Sequence, residues 1–193
     1  VHNLNHYRSL LPPEHPLICM IKADGYGTGA FELARTLQEH RVDYLAVAVA
    51  DEGRELRDKG IRTHIMIMNP ELSVADTLFS HRLEPEVYSM ELLEGLCERA
   101  RIAGITAFPI HLKVDSGMHR LGFAPADLPA VGAYLREHPE LRVSSVFSHL
   151  AAADELDKRD FTERQAKTFI AATEALTAAL GYQPKRHLLN TAG

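Results

Sequence analysis

The sequence predicts an α/β protein of the (β/α)8 TIM-type barrel class, incomplete at both ends in this chain, and three observations lead there. Short, nearly continuous apolar runs alternate with amphipathic stretches along the whole length. Within the runs apolar and polar residues do not alternate, so they read as parallel strands covered on both faces. About seven such units follow one another, and no Gly-x-Gly-x-x-Gly comes after the first run, which favours a barrel over an open dinucleotide-type sheet.

Taken in order, the strand candidates are residues 16–21, 44–49, 65–68, a weaker run at 85–88, 108–114, 143–147 and 187–189. Helices are expected between them at 30–40, 51–59, 74–81, 90–103, 126–138 and 161–180. The last is the clearest, because Phe169, Ala172, Leu176 and Leu180 fall on one face at spacings of three and four. A further helix is expected at 2–11, with no strand before it. The chain opens on Val1 and stops at Asn190-Thr191-Ala192-Gly193, directly after a strand. Pieces of the barrel are therefore expected on both sides of this segment. No linker or repeat divides 1–193, which reads as one partial barrel domain.

Composition limits what the motifs can mean. With 193 residues, 46% hydrophobic and 24% charged, the chain has enough apolar material for one sizeable core. Its net charge of -5, with acidic and basic residues interleaved, gives no basic stripe for nucleic acid. No apolar run approaches the roughly 20 residues needed to cross a bilayer, and no signal peptide opens the chain, so a cytoplasmic protein without a membrane partner is expected. Cys19 and Cys97 are too few for a disulfide framework. His111, His119 and His149 stand at unrelated offsets, with no His-x-His or His-Glu-x-x-His, and no metal site is expected.

Chemistry is expected at the C-terminal ends of the strands, where a parallel barrel opens. Lys22 follows Leu17-Ile18-Cys19-Met20-Ile21, so its amine would emerge from an apolar wall that disfavours the ammonium form and suits a Schiff base. A lysine that ends a strand and reaches to water is the plainer reading on position alone. The stretch Ala23-Asp24-Gly25-Tyr26-Gly27-Thr28-Gly29 allows a tight turn, with the Tyr26 hydroxyl available to a phosphate or carboxylate; it is equally a simple strand-to-helix connection. Arg120 sits on a glycine-bounded loop after the fifth run, where its planar fork suits a carboxylate or is merely solvated. His149 ends the sixth run and is placed to stack on a flat ring, to exchange a proton, or only to satisfy a hydrogen bond. Asn190 and Thr191 offer amide and hydroxyl donors to an anion, or cap a following helix. Met68, at the end of a strand, is a candidate lining residue for a substrate pocket.

Together these segments resemble one family. Met20-Ile21-Lys22-Ala23-Asp24-Gly25-Tyr26-Gly27 resembles the cofactor-lysine signature of bacterial alanine racemases. The same order of landmarks continues with Leu112-Lys113-Val114-Asp115-Ser116-Gly117-Met118-His119-Arg120-Leu121-Gly122, then Ser148-His149-Leu150-Ala151-Ala152-Ala153-Asp154, then Phe161, Gln165 and Phe169, then Asn190-Thr191. The resemblance covers essentially the whole chain.

It implies a fold-type III pyridoxal 5'-phosphate barrel, followed by a mostly β C-terminal domain, in a homodimer with shared active sites. It implies racemisation of L-alanine to D-alanine for peptidoglycan synthesis. Lys22 then corresponds to the lysine that carries the cofactor and serves as one of two catalytic bases. Tyr26, Asn190 and Thr191 correspond to residues near the cofactor phosphate, His149 to the histidine beside the pyridine ring, and Arg120 to the arginine that meets the substrate carboxylate. Lys113 matches a lysine carboxylated in some members, which steadies that arginine. The second base, a partner-subunit tyrosine, has no match here, so residues 1–193 are expected not to racemise alanine alone. Departures from the commonest pattern are Thr28 for histidine, His119 for glycine and Thr191 for serine. Two rivals remain: a one-domain, non-enzymatic pyridoxal phosphate carrier, which lacks the loop around Arg120, and a related decarboxylase or broad-specificity racemase.

Overall fold

The computed structural model describes residues 1–12 and 14–193. Its contacts divide the chain into two units, Val1–Pro85 and Glu86–Gly193.

The first unit opens with helix α1 (His2–Ser9), which buries Leu4 and sends the Arg8 guanidinium to the carbonyls of His40 and Arg41 at 2.8 and 2.9 Å. Strand β1 (Ile18–Met20) pairs in parallel with β2 (Tyr44–Val47), and β2 with β3 (His64–Ile67), in a register that sets Met20 beside Ala46 and Val47 beside Ile67. The first half of β4 (Leu83–Val87) continues this sheet, with Ile67 beside Pro85. Between the strands lie α2 (Lys22–Gly27), α3 (Ala30–Glu39), α4 (Ala50–Asp58) and α5 (Ala75–Ser80). Leu45, Val47, Ile65, Ile67, Leu56 and Leu78 are all within 2% of complete burial, the strand residues facing the helices that cover them. Each such side chain contributes roughly 1.5–3 kcal/mol relative to exposure.

In the second unit the other half of β4 pairs with β5 (Phe108–Lys113), β5 with β6 (Leu141–Phe147), and β6 with β7 (Lys185–His187), again all parallel. The helices are α6 (Met90–Ile102), α7 (Leu128–Glu137) and α8 (Arg159–Leu180). Ser89 caps α6 by accepting from the Leu92 amide. The periodic face read from the sequence is the buried face of α8: Phe169, Ala172, Leu176 and Leu180 all point inward. Gly181, in the left-handed region at φ 77°, ends that helix. On α7 a Cβ at Gly132 would lie 2.6 Å from Ala179 Cβ, so the absence of a side chain lets α7 and α8 approach closely.

Strand order therefore follows sequence order, each strand parallel to the next, as expected for a βα barrel. Most element boundaries lie within about two residues of the sequence reading, and two of the differences have a clear physical reason. The last strand is Lys185–His187 instead of the apolar run 187–189, because it is defined by pairing with Ser145, Val146 and Phe147 and by the His187 ring stacked on Phe147 at 4.7 Å. The weak run at 85–88 is part of a strand buried at all five positions, in which Glu84 and Glu86 occupy one face and Leu83, Pro85 and Val87 the other. In β4, then, polar and apolar residues do alternate, and both faces are buried.

Candidate functional site

In the first unit the reactive groups stand just beyond the strand ends. Ile21, 1% exposed, is the last residue of the apolar run, and its amide donates to the Ala46 carbonyl at 2.8 Å. Lys22 follows and is exposed. The apolar wall ends at Ile21 and does not enclose the Lys22 side chain. Among the described residues its side chain makes no hydrogen bond or ion pair.

The next residues form a left-handed turn. Ala23, Asp24, Gly25 and Tyr26 have φ of 52, 51, 62 and 58°. A non-glycine residue there costs roughly 1–2 kcal/mol, so three of them persist only because contacts impose the shape. Those contacts are explicit. Glu52 Oε1 accepts from the Ala23 amide at 2.7 Å, Asp24 Oδ1 accepts from the Ala30 amide at 2.7 Å, and the Gly25 carbonyl accepts from the Thr28 hydroxyl at 2.6 Å. Tyr26, 61% exposed, projects from this turn. Met68 lies one residue past β3, half-buried, its amide donating to the Val47 carbonyl at 2.9 Å.

In the second unit the loop after β5 closes on itself. Val114 bridges Phe123, the Phe123 amide donates to the Lys113 carbonyl, and the Asp115 amide donates to the Phe123 carbonyl, both at 2.9 Å. Inside the loop, Asp115 Oδ1 accepts from the amides of Gly117 and His119, and Oδ2 meets the His119 ring. Burial alone would push the Asp115 carboxyl up, but these bonds outweigh it and hold it below the usual carboxylate range. Arg120 follows on the exposed tip.

Below the loop, Lys113 is 5% exposed, and its ammonium lies 4.1 Å from the centre of the Phe147 ring. Glu86, 2% exposed, faces Lys113 and Arg120 electrostatically; burial pushes its carboxyl up to about 7 despite their pull. Burial also lowers Lys113. On the same face His111 Nδ1 meets Ser145 Oγ at 2.7 Å, and Ser145 Oγ meets His187 Nε2 at 3.1 Å. A register shift at Ile110/His111 leaves Ser144 unpaired in the ladder and turns Ser145 towards His111. Burial, with His111 and Lys113 nearby, pushes His187 down to about 3.

His149, half-buried, follows β6, and its carbonyl accepts from Gln165 Nε2 at 3.1 Å while Gln165 Oε1 accepts from the Ala151 amide at 3.0 Å. Ser148 joins this region to the Arg120 loop through Ser116, hydroxyl to hydroxyl at 2.8 Å. Asn190 does not present a free amide: it donates to the Leu150 carbonyl at 3.2 Å and accepts from the Ala192 amide at 3.1 Å. Thr191 is exposed. Among the described residues no group of three His, Cys, Asp or Glu side chains is arranged to hold a metal ion, and no helix is long and apolar enough to cross a membrane.

The second unit thus brings Lys113 and Arg120 into one electrostatic cluster and His149 and Asn190 onto neighbouring strand ends, while Lys22, Tyr26 and Met68 stand in the first. A family model for the N-terminal domain of alanine racemase matches residues 1–193. The chain belongs to this family. An alanine racemase of Sorangium cellulosum is 37% identical over 90% of this chain and 46% of its own length. One from Synechocystis is 34% identical over all of this chain and 52% of its own length. The solved alanine racemase of Clostridium difficile 630 superposes with a TM-score of 0.92 at 33% identity, over 99% of this chain and 50% of its own, and a second structure from that organism, at the same TM-score, is a complex with cycloserine. The chain therefore has the barrel fold of the alanine racemase N-terminal domain, and it spans about half the length of the relatives it matches.

Three side chains around these alanine racemase landmarks carry no sequence signal of their own: Glu52, Gln165 as a clamp, and Glu86. Glu52 is one of several acidic residues opening an ordinary amphipathic helix, and its partner lies 29 positions away. Glu86 sits in a strand that read as weak because it contains charges.

Proposed function

We propose that this chain is the cofactor-binding barrel portion of an alanine racemase, an isomerase that interconverts L- and D-alanine with pyridoxal 5'-phosphate. The observation that carries this reading is Lys22: an exposed amine, free of ion pairs among the described residues, on a backbone held rigid immediately after the first strand. The residues present fit the cofactor, because an aldehyde needs an accessible primary amine at a fixed point. When bound, the cofactor supplies an electron sink for the carbanion left by α-proton removal.

In this reading Lys22 would hold the cofactor through Nζ, and the same Nζ would move the α-proton on one face of the substrate. Tyr26 contacts the phosphate from the exposed left-handed turn, with Asn190 and Thr191 near the same group. His149 packs beside the ring, fixed through its carbonyl by Gln165. Arg120 receives the substrate carboxylate on its planar fork, Lys113 steadies it from below, and Met68 lines the space for a small side chain. The base for the opposite face comes from the partner subunit of a homodimer. The same reading has a barrel of eight units, a β-rich domain following it, a cytoplasmic location and a role in providing D-alanine for peptidoglycan.

The test is visible absorption of the full-length protein with added pyridoxal phosphate, followed by borohydride reduction and peptide mapping. An adduct on Lys22 with alanine-specific turnover supports the reading. An adduct elsewhere, or no visible band, overturns the cofactor assignment; a broad substrate profile replaces alanine racemase with a broad-specificity racemase.

A further inference from the structure

Among the described residues, the hydrogen bond that holds the left-handed turn after Lys22 from outside comes from the side chain of Glu52. Within residues 23–26 the hydrogen bonds of Asp24 and Gly25 close on residues 21–30: the Gly25 amide donates to the Ile21 carbonyl, the Gly29 amide to the Asp24 carbonyl, and the Ala30 amide to Asp24 Oδ1. The bond from the Ala23 amide is different, because it runs to Glu52 on α4. Glu52 divides its two oxygens. Oε1 takes the Ala23 amide at 2.7 Å, and Oε2 takes the Ala48 amide at 2.7 Å, with the Val49 amide at 3.4 Å. One half-buried carboxylate thus ties the end of β1 to the end of β2 through charge-assisted bonds.

The amide it holds belongs to the peptide between Lys22 and Ala23. The peptide before Lys22 is also held, since the Ile21 carbonyl accepts from the Gly25 amide at 3.0 Å, so fixing the peptide after it pins the Lys22 Cα, and the Cα–Cβ bond it carries, between two anchored peptide planes. We propose that Glu52 is a positioning residue for Lys22, aiming its amine by clamping the peptide that follows it against the end of β2. This rests on the reading of Lys22 as the cofactor lysine. A glutamine can accept at only one oxygen, so Glu52→Gln sacrifices one arm of the clamp; Glu52→Ala removes both.

The experiment compares the full-length protein with its Glu52→Gln and Glu52→Ala forms, and with Asp51→Ala as a neighbour on the same exposed turn of α4. Hydrogen exchange of the cofactor-free proteins is expected to show faster exchange in residues 21–30 for both Glu52 variants and not for Asp51→Ala. With pyridoxal phosphate bound, the reduced adduct still maps to Lys22, but cofactor release quickens about tenfold. The midpoint pH of the visible band shifts, and kcat falls roughly 10- to 100-fold with KM for alanine within about threefold. Unchanged exchange, band midpoint and kcat in Glu52→Gln overturn the proposal. So does a lower Tm with all three unchanged, which would make Glu52 structural only. If Glu52→Ala does not fold, Glu52→Gln carries the comparison. Failure of the underlying reading is seen separately, in the wild type, as an adduct away from Lys22.

Discussion

The His119 ring and the Asp115 carboxylate meet at 2.9 Å across the loop that carries Arg120, and the same carboxylate accepts the Gly117 and His119 amides. His119 itself has φ 56°, so the loop holds a non-glycine residue in a left-handed conformation through these bonds.

Replacing Asp115 by asparagine is therefore expected to loosen Arg120. On the proposed function, KM for alanine in the full-length protein should rise about 5- to 30-fold, on the order of 1–2 kcal/mol of lost binding, while cofactor affinity stays within about twofold. Steady-state kinetics and cofactor titration check this. For pH the sign follows from a depressed carboxyl: its contribution is complete above the unfolded value near 3.9 and is lost as pH falls through the lower folded value. Wild type and Asp115→Asn should differ in urea midpoint at pH 6, and the difference should shrink as acid protonates the folded-state carboxyl.

Gly122 has φ 125°, and a Cβ there would lie 2.7 Å from both the Asp115 amide nitrogen and the Val114 carbonyl carbon. Both obstacles are backbone, so Gly122→Ala should cost roughly 2–4 kcal/mol. Gly27, also left-handed but with nothing within 4 Å, should lose only about 1 kcal/mol on the same change. Denaturant unfolding of the two variants side by side tests the contrast; equal losses would refute it.

Glu86 supplies a pH dependence of the opposite sense. Burial raises its carboxyl to about 7, so the folded chain keeps a proton that the unfolded chain has released. Stability is penalised progressively as pH rises from about 4.3 through 7, by a total on the order of 3 kcal/mol. Glu86→Gln should match wild type near pH 4.5 and be the more stable at pH 8. The same offset at both values would show that the effect is not ionisation.

Gln165 is 1% exposed and fully engaged by His149 and Ala151. Gln165→Leu removes both of these hydrogen bonds from part-buried main-chain groups, at a cost of about 1–2 kcal/mol. The loss should be visible in Tm, with faster hydrogen exchange at residues 149–151 as the local sign.

The strand-helix rhythm, and the position of each reactive residue just past a strand, were legible because apolar continuity and helical spacing are local properties. Lys22, Met68, Arg120 and His149 stand where that rhythm puts them. The conformation of residues 23–26 was not legible. Glycine at 25, 27 and 29 announces a permissive turn and Asp24 tolerates left-handed winding, but Ala23 and Tyr26 do not favour it, and the turn is held partly by Glu52. The last strand was misplaced by two residues for a similar reason: Lys185 and Arg186 are polar, and only pairing with β6 makes them a strand. Glu86 escaped notice because a carboxylate in a strand normally signals an exposed edge, whereas here it faces a buried lysine.

The clamps at Glu52 and Gln165 share a design. Each is a helix side chain that grips main-chain groups at a strand's exit, so its hold does not depend on what the gripped residues are. Ala23, Ala48 and Ala151 offer the same amide whatever side chain they carry, proline excepted. The rim of the barrel can therefore change its lining by single substitutions, one side chain at a time, without relearning its shape.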